Sequence, residues 1–132
     1  MRVEIARVAG KRLAVSGSDT ELIVDNLAAD GGPGDGWRST ELVLAGLGAC
    51  MAGTMLDFAA TQEIPVTDVK VVLSDEVVGP PQRVGSISVT MLVAGDVTDR
   101  QLESLERVAA KCKIGNTLAN SPEVVFELSR MP

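Results

Sequence analysis

The sequence predicts an α+β fold, and three observations carry that prediction. Short stretches rich in β-branched residues follow one another as hairpins rather than alternating singly with helices. One long stretch, from Glu41 to Asp57, has no charged residue between those two acids. A second, shorter stretch near the C-terminus has the spacing of an amphipathic helix. The resulting order, βββαββαβ, contains no βαβ crossover, which separates it from parallel α/β sheets. With 132 residues, positions 1–132 are expected to form a single domain with one core.

The elements follow in chain order. Residues 3–8, 12–16 and 20–25 read as a three-stranded meander, with turns at Gly10-Lys11 and at Ser16-Gly17-Ser18-Asp19. Residues 30–36, DGGPGDG, hold four Gly and one Pro and read as a loop. Ser39 is a candidate N-cap for a helix running to Glu63, where Ile64-Pro65 stops it. Because its middle is apolar around the full circumference, this helix is expected to be buried on nearly all sides. Gly46, Gly48 and Gly53, with Ala45, Ala49 and Ala52, offer close approach to another backbone, and a second copy of the chain is expected to supply part of the cover. Its uncharged run falls short of the ~20 apolar residues that span a bilayer, so no membrane is expected.

Strands at 69–78 and 84–94 flank a Gly79-Pro80-Pro81 turn. In the second of them Ile87, Val89, Met91 and Val93 alternate with Ser86, Ser88, Thr90 and Leu92. Thr98 with Gln101 forms a capping-box pattern that opens a helix to about Lys113, ended by Gly115. Leu102, Leu105, Val108, Ala109 and Cys112 share one face of it, which places Cys112 in a buried stripe. A last strand is expected at 123–129, with Val124, Phe126 and Leu128 on one side.

Composition excludes several functions. A net charge of −6, without a basic cluster and with only three Phe and Trp residues, is the wrong footprint for nucleic acid. The start interleaves charged and apolar residues, unlike a signal peptide, so a cytoplasmic protein is expected. In that compartment Cys50 and Cys112, 62 positions apart, are expected to be thiols at rest and fit neither a CxxC motif nor a zinc ribbon. There is no His, which removes histidine bases and histidine metal ligands. No metal or cofactor is expected.

Two cysteines in apolar surroundings are more often inert core residues than nucleophiles. Two stretches weigh against that reading: S39-T-E-L-V-L-A-G-L-G-A-C50 and A109-A-K-C112-K-I-G-N-T-L118. The first resembles the family of the osmotically induced protein and the organic hydroperoxide resistance protein (OsmC/Ohr), where an acid precedes an apolar Leu/Ala/Gly run ending in cysteine. The second resembles that family's later cysteine. The resemblance implies an OsmC/Ohr-like fold, antiparallel sheets around a long buried central helix, assembled as an intertwined homodimer.

It also implies thiol-based reduction of organic hydroperoxides. Cys50 would become a sulfenic acid, Cys112 would condense with it into a disulfide, and an external dithiol, such as a lipoyl group, would reset the pair. A thiol in an apolar pocket is mostly protonated, so a nearby cation is expected. The family uses an arginine held by a glutamate, for which Arg38 and Glu41 are the nearest candidates, with Arg12 as an alternative. The position ten before Cys50, where the hydroperoxide resistance branch has its glutamate, is Thr40, and Glu41 equally suits the first turn of a helix. Leu47, Met51, Met55 and Phe58 can form an apolar wall for a bulky peroxide or can simply be core. Two further functions stay open: a dimer that binds a small hydrophobic ligand, and a thiol redox sensor.

Overall fold

In a computed structural model of the protein, the described residues are 1–25 and 34–132. The expected loop therefore lies outside the described residues over 30–33, and 34–36 carry no helix or strand. Strands β1 (Glu4–Ala9), β2 (Arg12–Gly17) and β3 (Thr20–Val24) form an antiparallel meander in the order β1-β2-β3. Helix α1 (Ser39–Thr61) follows, then a long antiparallel hairpin of β4 (Val66–Val78) and β5 (Arg83–Gly95), and helices α2 (Asp99–Ala109) and α3 (Lys113–Ala119).

Helix α1 starts because the Arg38 N–H donates to Glu41 Oε1 at 3.0 Å, so Arg38 rather than Ser39 is the N-cap. Its end is a Schellman motif: Glu63 N–H donates to Ala60 O and Ile64 N–H to Ala59 O, with Glu63 at φ +55°. That turn directs Ile64 into the core. Met55, Ala59, Ile64, Leu105 and Ala109 form a buried cluster where α1, α2 and the chain entering β4 meet, roofed by Val69, Met91 and Val93 of the hairpin. Full burial of Met55 and Leu105 stabilises this junction by about 1.5–3 kcal/mol each. Two glycines lie in close packing, and Gly95 is the one whose backbone demands glycine. A Cβ on Gly48 would stand 2.5 Å from Leu73 of β4, and one on Gly95, at φ +127°, would overlap the Pro65 carbonyl.

Three further expectations are revised. Within one chain, helix α1 is buried only at Leu47, Gly48, Met55 and Ala59, so the rest of the expected burial falls to the second copy. Gly46, Ala49, Gly53, Leu56 and Ala60 form one exposed stripe, and nothing lies within 4 Å of a Cβ built on Gly46 or Gly53. The whole helix, at 23 residues, also has the length and apolar composition of a membrane span. Second, α2 stops at Ala109, and Gly115, which was expected to end it, lies inside α3. Cys112 breaks the run with extended backbone, φ −69° and ψ 158°, and caps α3 instead of lying on an α2 stripe; it is nonetheless 1% exposed. Third, residues 123–129 form no strand, because no neighbouring strand edge within the described chain receives their backbone; Val124, Phe126 and Leu128 stand exposed.

The meander β1–β3 makes no extended contact with any other described element. Arg12 ties it to the start of the next segment, donating to Asp25 at 2.9 Å and to Asp35. Trp37 runs beside β3, with its N–H on Ile23 O and its carbonyl accepting from Asp25.

Candidate functional site

The two thiols expected to work together are brought together. Packing of α3 against α1 sets the N-terminal turn of α3 over Cys50. The Ile114 N–H donates to Cys50 Sγ at 3.5 Å, and the Gly115 N–H donates to Cys112 Sγ at 3.2 Å. Both cysteines are free thiols, and each shifts the acidity of the other. One turn of backbone thus presents its unpaired N–H groups to two sulfurs, using donors that every helix start leaves without intrahelical partners.

Their environments push the two thiols apart. Cys50 is lowered from the ordinary thiol value, first by the Ile114 N–H, with further help from Cys112, the Lys113 backbone and Thr54, against an opposing effect of burial. Cys112 is raised, chiefly because burial disfavours its thiolate and also because Cys50 competes for the negative charge. The two thiols therefore differ in acidity, Cys50 being the one whose thiolate is favoured and Cys112 the one whose thiolate is disfavoured.

The cation expected beside Cys50 is not among the groups acting on its thiol. Arg38 Nε donates to Glu41 Oε1 at 3.2 Å, and Glu41, nine residues before Cys50, stands about 13 Å away along the helix axis. Glu41 is lowered first by the Arg38 backbone N–H and then by its side chain. Arg12 is engaged by Asp25 and Asp35. Within one chain, then, Arg38 and Glu41 organise the start of α1, and the backbone donors that lower Cys50 come from α3. Thr54 follows from helical spacing, four residues after Cys50. Ile114 acts through its N–H, which no side-chain pattern announces.

Of the expected apolar wall, Leu47 and Met51 line a cavity of about 510 Å³ between α1, β5 and α3. Met55 is wholly inside the core and Phe58 packs against it. Cys112 borders this cavity; Cys50 is not among its described lining residues. Among the described residues no group of three or more His, Cys, Asp or Glu side chains is placed to hold a metal ion.

Comparison with known proteins places this arrangement. No curated protein matches the chain in sequence. Solved structures match its fold: an OsmC-like protein from Mycoplasma pneumoniae has a TM-score of 0.80 at 13% identity, over 91% of this chain and 87% of the other. An organic hydroperoxide resistance protein OsmC from Legionella pneumophila has a TM-score of 0.72 at 18% identity, over 90% and 88%. An organic hydroperoxide resistance protein from Elizabethkingia anophelis has a TM-score of 0.70 at 17% identity, over 92% and 90%. The OsmC-like protein family matches residues 32–127, a span that holds the whole of α1, the hairpin and both cysteines. With that match and an α+β fold shared with OsmC and hydroperoxide resistance proteins, the chain belongs to the OsmC-like family.

Proposed function

We propose that this protein is a thiol-dependent peroxidase that reduces organic hydroperoxides through a Cys50 sulfenic acid and a Cys50–Cys112 disulfide. The observation that carries the reading is the gathering of both sulfurs at the start of α3, where Ile114 N–H donates to Cys50 Sγ and Gly115 N–H to Cys112 Sγ, with Cys50 lowered by that first donor and Cys112 raised by burial. The Cys50 thiolate attacks the distal peroxide oxygen, the O–O bond breaks, and the alkoxide leaves as alcohol after taking a proton from solvent. Cys112 sulfur then attacks Cys50 sulfur, the S–O bond breaks, and hydroxide leaves as water with the Cys112 proton. An external dithiol, a lipoyl group in the family's hydroperoxide resistance branch, restores both thiols, a cycle suited to a reducing cytoplasm.

The working unit in this reading is a homodimer. The exposed stripe of α1, with Cys50 at its edge, the meander without a partner layer and the exposed apolar residues of 123–129 together support a second copy as their cover. A monomeric mass at micromolar concentration removes that part of the proposal.

The test of the chemistry is a count of free thiols after one equivalent of cumene hydroperoxide, with Cys50→Ser and Cys112→Ser alongside. The reading expects loss of both thiols and a disulfide by mass spectrometry. Intact thiols, combined with saturable binding of an alkyl ligand in the 510 Å³ cavity, would instead favour a ligand-binding protein.

A further inference from the structure

The cavity beside the thiol pair opens on the wrong cysteine for a peroxide. It touches Cys112, which bulk solvent hardly reaches, and leaves Cys50 out of its described lining, although Cys50 is the more exposed of the two. Val43 and Leu47 of α1, Val84 and Ile87 of β5, and Leu118 of α3 make its walls. Among its described lining residues none carries a charge, and Ser86 is the one hydroxyl. Its volume of about 510 Å³ lies within the ~300–1,000 Å³ usual for small-molecule sites.

We propose that this cavity is the entry of the reductant, an uncharged dithiol carried on an aliphatic arm, which attacks the disulfide at Cys112 and expels Cys50. The inference rests on the disulfide cycle proposed above. Two sulfurs are open to attack in any disulfide, and the outcome depends on access and on which thiolate leaves more readily. Attack at Cys50 would leave a thiolate on Cys112, buried and poorly solvated. Attack at Cys112 leaves the charge on Cys50, where the Ile114 N–H already points.

The electrons balance as follows. A thiolate of the dithiol forms a bond to Cys112 Sγ, the Sγ–Sγ bond breaks, and its electron pair departs on Cys50. The second thiol of the arm then loses its proton and attacks its own partner sulfur. That closes the reductant into a cyclic disulfide and releases Cys112, which takes a proton. The protein gains two electrons and the dithiol loses two. An apolar lining discriminates between reductants, since a thiol carrying charged groups would have to leave them unsolvated in the cavity.

The site of attack can be mapped directly. The disulfide is made in two arms, with cumene hydroperoxide and with diamide. Each is mixed with 6-mercaptohexanol, a neutral alkyl monothiol, or with glutathione. The reaction is quenched in acidic N-ethylmaleimide, and the adduct is located by peptide mass spectrometry. The proposal expects the alkyl adduct on Cys112, maleimide on Cys50, and reaction roughly tenfold slower with glutathione, the scale on which an apolar pocket discriminates. An adduct on Cys50, or equal rates for the two thiols, overturns it. A disulfide in the diamide arm alone overturns the peroxidase cycle while the diamide map still decides this proposal; no disulfide in either arm overturns both. As a second measurement, Val84→Trp narrows the cavity and should lower the ratio of the disulfide's reduction rate by mercaptohexanol to its formation rate by hydroperoxide, roughly tenfold. A ratio within about twofold of the unsubstituted protein also overturns the proposal.

Discussion

Replacing Ile114 with proline removes one hydrogen atom from the site and tests the account of Cys50 activation. Position 114 is the second residue of α3, and its N–H has no use inside the helix: the first α3 bond runs from Asn116 N–H to Cys112 O at 2.9 Å. Proline is tolerated in a first turn, so the loss is concentrated on the 3.5 Å bond to Cys50 Sγ. Since that N–H is the largest influence lowering Cys50, its removal moves the thiol back toward its ordinary value. The thiolate population at neutral pH should fall roughly tenfold, the effect of losing one hydrogen bond to a charged group.

The assay is the pH profile of Cys50 alkylation by iodoacetamide, located by mass spectrometry, for the unsubstituted protein, Ile114→Pro and Ile114→Val. The proline profile should shift to higher pH with little change in its alkaline plateau, because a more basic thiolate is slightly the better nucleophile. Valine keeps the N–H and should leave the profile in place. Proline also disfavours helical backbone at Lys113, so urea melts of all three are needed as a check on folding. An Ile114→Pro protein with an unchanged melt and an unchanged alkylation profile would refute the assignment.

Met55→Ala separates core from substrate wall: Met55 is fully buried, so a loss of about 3 kcal/mol and a fall in Tm of about 10 °C are expected, with Cys50 alkylation unaltered. Gly53→Ala improves helix propensity by about 1 kcal/mol yet adds a methyl to the exposed stripe of α1. Sedimentation should show dimer dissociation increased roughly tenfold, and unchanged association would argue against that stripe as the interface. The thiols also make opposite contributions to stability at alkaline pH. Cys112 is raised, so in Cys50→Ser its contribution is full below the unfolded thiol's pKa and is lost as pH rises through the folded value. Cys50 is lowered, so in Cys112→Ser its contribution is present above the unfolded pKa and is lost as pH falls through the folded value. Urea midpoints measured from pH 7 to pH 10 should therefore fall in the first variant and rise in the second.

Elements with strong local signals were legible. The alternation in 84–94 matches β5, whose Ile87, Val89, Met91 and Val93 turn inward while Leu92 is exposed. The Thr98–Gln101 pattern is the observed cap of α2, with the Gln101 N–H donating to Thr98 Oγ1 at 3.2 Å. The break at Cys112 was not legible, because 109–113 contains neither Gly nor Pro and its helical spacing continues unbroken. The strand at 123–129 has the right alternation, but a strand exists only where another backbone receives its hydrogen bonds, and a periodic pattern does not specify that neighbour.

At the functional centre the same division holds. Residue types, apolar spacing and motif resemblance determined an α+β domain, a long apolar helix and two cysteines of interest, because each is a property of local sequence. Only the tertiary structure decided which groups lower the Cys50 thiol. The groups that lower it are mainly backbone N–H donors of a turn 64 residues away, identical in every amino acid except proline, and they become specific only when α3 packs on α1.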